Sequence, residues 1–200
     1  FRWDYYTRDK RNLKGFEKLS SEGVRVEYLE PIYPVLSYPN WTTISTGVYA
    51  DKHGITGNYM LDLTQRDPSK GIFHLMENDT TGHPHWWEDS PEPIWTTATK
   101  NGKRTFTRLW SRSDIPVEGI VPEEFSAYAY APGAREIKDT TDIGVQKLLE
   151  GFDFVLLYGE HIDNVGHAYG PESNEIKEAV KDVDDIILRF LQKLDESRID

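Results

Sequence analysis

The sequence has no cysteine, and none of its apolar runs is long enough to span a bilayer. Disulfide bonds therefore cannot hold the fold together. The compartment stays open, because a secreted domain of this size can fold without them. No signal peptide is visible, and the chain begins at Phe1 without a methionine.

Positive charge is also scarce, since 23 Lys and Arg residues face 34 Asp and Glu residues and the net charge is -11. A field of this sign repels nucleic-acid polymers and anionic membrane surfaces. It does not exclude a small phosphodiester held by metal ions, which invert the local potential. Hydrophobic residues, at 38%, and aromatic residues, at 12%, are abundant enough for a packed core.

Apolar spacing and turn residues predict an α/β fold with a mainly parallel sheet and helices on both faces. The segments with helical spacing are 12–22, 40–49, 93–100, 135–150 and 173–195. The segments typical of strands are 24–29, 103–110 and 152–158. Residues 63–92 have no clear period and predict an irregular excursion, which contains a glycosylation acceptor pattern at Asn78. Active sites in such folds lie beyond the carboxyl ends of the strands.

The first candidate site is Ser37, which precedes a predicted helix, with Asn40 three residues later. A helix N-terminus offers free N–H groups to an anion or a forming alkoxide. Ser37 could attack phosphorus if a metal ion activated it, and Asn40 could donate a hydrogen bond to a phosphoryl oxygen. The spacing alone also fits a serine that only caps the helix, and an Asn40 that forms a glycosylation acceptor with Thr42.

The second candidate site follows the predicted strand 152–158. Asp163 and His167 are oxygen and nitrogen ligands of the kind that zinc takes, and Gly166 would allow a tight turn between them in a loop. Glu160 and His161 are further candidates. The alternative is a hydrogen-bonded Asp–His pair on a surface loop.

Three other histidines and a tryptophan pair have more ordinary interpretations. His53 is expected to orient its neighbours rather than to bind metal. His83 and His85 are predicted to be ordinary loop histidines, and the adjacent tryptophan pair, 86–87, is predicted to be a packing element.

Several segments, taken in order along the chain, resemble the ectonucleotide pyrophosphatase/phosphodiesterase family. They are Phe1-Arg2-Trp3-Asp4-Tyr5, Ser37-Tyr38-Pro39-Asn40, Thr46-Gly47-Val48-Tyr49, His53-Gly54-Ile55-Thr56-Gly57-Asn58, Glu92-Pro93-Ile94-Trp95, and Asp163 through His167 with Tyr169-Gly170-Pro171. One such segment would be weak support, but the ordered set is specific to the family.

The resemblance implies an alkaline-phosphatase fold with two zinc ions. It places the family's nucleophile, a Thr or Ser, on Ser37, which also contacts metal. It places the phosphate-holding asparagine on Asn40, and the Asp and His of one zinc site on Asp163 and His167. The implied enzyme is a phosphodiesterase that works through a seryl-phosphate intermediate at Ser37.

Within the family, Leu36-Ser37-Tyr38-Pro39-Asn40 is most similar to the choline-specific glycerophosphodiester phosphodiesterase branch, which acts on glycerophosphocholine-type or lysophospholipid head groups. Tyr158 is then the first candidate for holding the choline group, and Trp110 and Tyr128 are weaker ones. A nucleotide pyrophosphatase/phosphodiesterase is the first alternative. A non-catalytic relative that has lost its metal ligands is the second.

The resemblance also implies that residues 1–200 are the N-terminal portion of one catalytic domain, because further metal ligands are expected before Phe1 and after Asp200. This portion alone is expected to be inactive. The implied location is extracellular or at the cell surface, in a glycoprotein whose contact with a membrane would be an anchor outside these residues.

Overall fold

The structure is a computed structural model that describes residues 1–8, 12–128 and 133–199. The chain divides into two compact units, the first made of residues 1–29 and 129–200 and the second of residues 30–128. No helix in these described ranges combines the length and the apolar character needed to cross a bilayer.

Short strands, singly or in pairs, are interspersed among the helices. The helices are α1 Tyr5–Arg8, α2 Lys14–Glu22, α3 Ser37–Thr46, α4 Ala50–His53, α5 Asn78–Thr81, α6 Ile94–Lys100, α7 Ala134–Leu149, α8 His161–Tyr169 and α9 Asn174–Ser197. The strands are β1 Tyr59–Leu61, β2 Ile72–His74, β3 Thr105–Arg108, β4 Glu124–Ser126 and β5 Phe154–Leu157. A 3₁₀ turn covers Pro84–Trp86. The predicted α/β class is confirmed.

The first unit is organised around α9, which packs against α2, α7 and α8. Ser173 caps α9 by accepting the Ile176 N–H at 3.1 Å. The apolar stripe of α9 enters a core with α1 and α2. That core contains Tyr5, Leu13, Phe16, Ile176 and Val180.

The second unit contains an antiparallel hairpin, in which β1 pairs with β2, and a parallel pair, in which Phe106 of β3 is opposite Glu124 of β4. Its core cluster consists of Tyr38, Ile55, Phe73 and Trp87, with Trp86 packed against it. The prediction that the tryptophan pair is a packing element is therefore confirmed.

Two predicted elements are wrong in their bounds or their existence. The helix predicted at 40–49 begins earlier, at Ser37, because Pro39 lies in the first turn, where a missing N–H costs no hydrogen bond. It ends at Thr46, where Gly47 adopts a left-handed φ of 73°. Residues 24–29 form no strand, since every residue of that segment is exposed and no strand pairs with it in the described part of the chain.

The excursion at 63–92 is more ordered than predicted, because β2, α5 and the 3₁₀ turn lie in it. β4 was also not predicted. The other predicted helices and strands are present, with ends shifted by up to two residues. The Gly144 position inside α7 is explained by the close approach of Leu157, since a Cβ there would lie 2.6 Å from Leu157 Cδ1.

Candidate active site

Ser37 is the first residue of α3 and is half-buried. The residue before it, Leu36, is the N-cap, has an extended backbone and makes no side-chain capping bond. Ser37 is therefore not the N-cap that its spacing also allowed. Its side chain sits at the positive end of the helix dipole without a capping role.

Most residues in the first turn of α3 have no backbone N–H available for a ligand. The Tyr38 N–H donates to Asn58 Oδ1 at 3.0 Å, and Pro39 has no N–H. The Asn40 N–H donates to the Leu36 carbonyl at 3.2 Å. Ser37 then carries the one N–H of this turn for which the described residues show no acceptor. The backbone N–H and the hydroxyl of Ser37 thus both lie at the N-terminal end of α3.

The structure places the Asn40 side chain on the loop that leads into α3. Its Oδ1 accepts the Ile32 N–H at 2.9 Å, and its Nδ2 donates to the carbonyls of Leu36 at 2.8 Å and Pro34 at 3.3 Å. Asn40 therefore fixes the approach of the chain to Ser37. Its predicted donation to a phosphoryl oxygen stays a prediction, and would require the Nδ2 group to exchange one of these carbonyls.

His53 contacts α3 through the Thr43 side chain. Its Nδ1 accepts the Ile55 N–H at 3.1 Å, and its Nε2 lies 3.0 Å from Thr43 Oγ1. An acceptor Nδ1 assigns the proton to Nε2. Burial lowers the pKa of His53, so the ring is neutral at pH 7. The prediction that His53 orients its neighbours is confirmed, because both ring nitrogens are engaged.

Asp163 and His167 lie on one face of α8, four residues apart. The sequence placed them in a loop with a turn at Gly166, and that part of the prediction is wrong, because residues 161–169 are helical. The helix itself brings the pair together, since positions i and i+4 are neighbours on its surface. Asp163 Oδ2 lies 3.4 Å from His167 Nε2, and both side chains are mostly exposed.

A cavity opens beside this pair. It is lined by Phe1, Arg2, Tyr5, Ile162, Asp163, Gly166, His167 and Pro171. A carboxylate oxygen and an imidazole nitrogen at this separation fit two neighbouring positions around one zinc ion. Within the described residues, no group of three or more His, Cys, Asp or Glu side chains is arranged to hold a metal.

The remaining candidates near β5 have other partners. His161 Nε2 lies 3.2 Å from Asp182 Oδ2 on α9, so its ring is directed at that helix. The Tyr158 hydroxyl donates to Glu160 Oε1 at 2.8 Å, and Glu160 is buried. The Tyr158–Glu160 pair thus couples an aromatic ring to a carboxylate next to α8.

The two weaker aromatic candidates belong to the core. Trp110 is 8% exposed and donates from Nε1 to Ser45 Oγ at 3.0 Å. Tyr128 is 3% exposed and packs against Trp41, with ring centroids 5.6 Å apart. Neither ring offers a face to a ligand.

Asn58 is the residue at this site whose role was missed. It is buried, and its side chain holds the Tyr38 N–H directly beside Ser37. The sequence offers a signal, because an asparagine that follows two glycine-marked turns at 54 and 57 lies in a tight reversal after α4. Which N–H it would reach depends on the tertiary fold.

Comparison with known proteins gives a consistent result over the whole chain. The family model described as "Type I phosphodiesterase / nucleotide pyrophosphatase" matches residues 1–200. Bis(5'-adenosyl)-triphosphatase enpp4 of Xenopus laevis is 30% identical over 100% of this chain and 42% of its own length. Ectonucleotide pyrophosphatase/phosphodiesterase family member 1 of Rattus norvegicus is 30% identical over 94% of this chain and 20% of its own length.

Among solved structures, an inactive murine ectonucleotide pyrophosphatase/phosphodiesterase 5 in complex with AMP superposes with a TM-score of 0.86 at 25% identity. The alignment covers 100% of this chain and 51% of that protein. The chain thus spans less than half the length of the curated relatives named above and about half of this solved structure.

Proposed function

The chain belongs to the type I phosphodiesterase/nucleotide pyrophosphatase family, within the alkaline phosphatase superfamily, and from this premise we propose that the polypeptide carrying it hydrolyses phosphodiester or pyrophosphate bonds of nucleotide-type substrates. The observation that carries the proposal is the family match across all 200 residues, with Ser37 at the open start of α3. We also propose that these residues form the N-terminal portion of the catalytic domain.

Ser37 is the nucleophile in this proposal. Its Oγ forms a bond to phosphorus while the bond from phosphorus to the leaving oxygen breaks, which gives a seryl-phosphate intermediate. Water then attacks phosphorus, the Ser37–phosphorus bond breaks, and the serine is regenerated. The Ser37 N–H and the N-terminal dipole of α3 lie where they would stabilise charge on the phosphoryl oxygens.

Asp163 and His167 are proposed to hold one zinc ion, and a metal contact of Ser37 stays an expectation of the family resemblance. A carboxylate oxygen and an imidazole nitrogen 3.4 Å apart on one helix face are a donor set that zinc accepts. When bound, zinc supplies Lewis acidity that stabilises an alkoxide and the charge on a transferring phosphoryl group. Two zinc ions are expected, as the family resemblance implies.

A nucleotide substrate is better supported than the choline head group that the residues around Ser37 first indicated. One relative is named for a bis(5'-adenosyl) triphosphate substrate, and the structural neighbour is a complex with AMP. For the nucleotide-type substrate, Tyr158 is proposed as a substrate-binding residue because its ring lies next to α8, with its hydroxyl held by Glu160. The extracellular or cell-surface location is proposed because a relative is named an ectonucleotide enzyme, and glycosylation at Asn78 stays a prediction.

The test replaces Ser37 in the full polypeptide and assays hydrolysis of a dinucleotide polyphosphate, a nitrophenyl ester of thymidine monophosphate and glycerophosphocholine. Ser37→Ala is expected to lower kcat by at least about 10³-fold, because no other group supplies the nucleophile. Ser37→Thr is the matched control, since it keeps the hydroxyl, and we expect it to retain most of the activity.

Two outcomes would contradict the proposal. Near-normal kcat in the Ala variant would show that Ser37 is not the nucleophile. Absence of turnover by the zinc-loaded wild-type protein on all three substrates would favour a non-catalytic relative. Turnover of glycerophosphocholine alone would restore the choline branch and overturn only the substrate assignment.

A further inference from the structure

His83 and His85 flank Pro84 in the 3₁₀ turn of the second unit. Proline at the first position of the turn and the bond from the Trp86 N–H to the His83 carbonyl, at 3.2 Å, fix the local backbone. The two imidazole rings face one another, with centroids 5.0 Å apart and Nδ1 to Nδ1 at 3.1 Å. A further ring contact, between His85 and Trp86 with centroids 4.4 Å apart, holds the second imidazole in place.

Two facing Nδ1 atoms cannot both carry a proton, so one must present a lone pair. His85 Nε2 lies 3.8 Å from Asp62 Oδ2, which favours the tautomer with a proton on Nε2 of His85. Its Nδ1 is then the acceptor.

The spacing of the two Nδ1 atoms also suits a shared metal ion. Nitrogens bound to one ion at about 2.0–2.1 Å, at angles between octahedral and tetrahedral, lie roughly 2.9–3.4 Å apart. The observed 3.1 Å falls inside this interval. A metal ion beside the line between the two nitrogens could therefore take the place of the shared proton once the rings turn toward it.

Asp62 provides the outer support that such a ligand needs. Its Oδ1 accepts from the Thr64 N–H and hydroxyl, at 2.8 and 2.7 Å, and its Oδ2 accepts from Gln65 Nε2 at 2.8 Å. The bonds from Gln65 and then Thr64 lower the pKa of Asp62 to about 2, so it is a fixed anion behind His85. Asp62 Oδ2 lies 3.8 Å from the non-ligating Nε2 of His85, beyond direct hydrogen-bond distance, so the carboxylate acts on this ring through its charge.

We propose that His83 Nδ1 and His85 Nδ1 bind one divalent transition-metal ion of the zinc or copper kind, with Asp62 orienting His85 and water completing the coordination. Imidazole nitrogen suits these ions, whereas magnesium and calcium require oxygen ligands. Both histidines belong to the second unit of the chain, whereas Asp163 and His167 belong to the first. The proposed site also revises the view of His83 and His85 as ordinary loop histidines.

The experiment measures zinc stoichiometry and affinity in the full polypeptide by titration against a chelator of known affinity. His83→Ala and His85→Ala are each expected to lose one zinc equivalent or to bind it at least about tenfold more weakly. His74→Ala is the matched control, since His74 is a half-buried histidine of the same unit whose Nδ1 accepts the Met76 N–H, and it should change neither value. Mg²⁺ should not compete for the site.

Asp62→Asn keeps both imidazoles and is expected to weaken zinc at this site by roughly 10–100-fold. A thermal melt without metal checks that each variant folds. Unchanged zinc stoichiometry and affinity in folded His83→Ala and His85→Ala proteins would overturn the proposal. If both alanine variants fail to fold, unchanged zinc affinity in the Asp62→Asn protein would overturn it as well.

Discussion

At Asp163 and His167, a separation of one helical turn is sufficient to pair a carboxylate with an imidazole. The two side chains are mostly exposed, so neither is needed for the core. An exposed pair of this kind contributes little to stability, typically no more than about 1 kcal/mol. Its loss should therefore affect metal binding and chemistry rather than folding.

We predict that His167→Ala or Asp163→Asn in the full polypeptide lowers zinc content and phosphodiester turnover together, because each change removes one ligand from the ion. The melting temperature of the metal-free protein should change little. Elemental analysis, turnover and a thermal melt on the same samples check this.

His161→Ala is the control for these variants. It removes a histidine from the same helix that is directed at Asp182 instead. Full zinc content in an inactive His167→Ala protein would count against the ligand role.

At the scale of elements, α2 crosses α9 at Gly15, where the backbones approach too closely for any side chain. A Cβ on Gly15 would lie 2.1 Å from the Asp184 carbonyl oxygen and 2.8 Å from the Leu188 nitrogen. The same crossing buries the Asp184 side chain, whose Oδ1 accepts the Phe16 N–H at 2.9 Å. The absence of a side chain at Gly15 thus allows the close approach of the two helices in which the buried hydrogen bond forms.

We predict that Gly15→Ala destabilises the protein by about 1–3 kcal/mol, although alanine is the better helix former, because two backbones would have to separate. Gly166→Ala on α8 is the matched control. A Cβ there meets only Ile176 Cδ1, at 3.6 Å, so the change should be neutral or stabilise by up to about 1 kcal/mol. Chemical denaturation of both variants measures the difference, and equal losses would show that the crossing does not carry the effect.

The helices were predictable because their signals are local. The stripe of α9 and the glycine that stops α2 can be read without knowing what they pack against. The start of α3 was not predicted, because proline in a first turn resembles proline before a helix until the tertiary fold is known. The segment 24–29 alternates like a strand, but alternation does not supply the neighbouring strand that would accept its hydrogen bonds.

The same distinction applies to the candidate sites. Ser37, Asp163 and His167 were identifiable by residue type, order and family resemblance. The Asn58 contact with the Tyr38 N–H and the facing Nδ1 atoms of His83 and His85 depend on how loops fold in three dimensions. Residue spacing alone could not show either of them.

At the scale of the whole molecule, the net charge of -11 is concentrated towards the C-terminal end. From residue 135 onward there are 16 acidic and 8 basic residues, which gives -8. Helix α9 contributes 7 acidic and 4 basic residues to this count, a net charge of -3. Charge of one sign favours solubility, so any tendency to associate must come from apolar surface elsewhere.

The exposed segment 24–29 is the apolar surface most suited to association. Val24 is 99% exposed and Leu29 is 78% exposed, and both lie in a stretch that belongs to no helix or strand. We predict that residues 1–200 expressed alone self-associate, bind a hydrophobic dye and melt with low cooperativity. We also expect them to show no phosphodiester turnover with added zinc, since Asp163 and His167 alone are fewer ligands than the catalytic pair of zinc ions implied by the family resemblance needs. The double variant Val24→Asp/Leu29→Asp should reduce light scattering and dye binding.

The control for this double variant is Leu63→Asp/Leu149→Asp, which removes two exposed leucines outside the segment, at 84% and 60% exposure. Equal improvement by both double variants would show that general apolar exposure, rather than this segment, causes association. A monomeric wild-type chain with a cooperative melt and turnover that depends on Ser37 would contradict the prediction altogether.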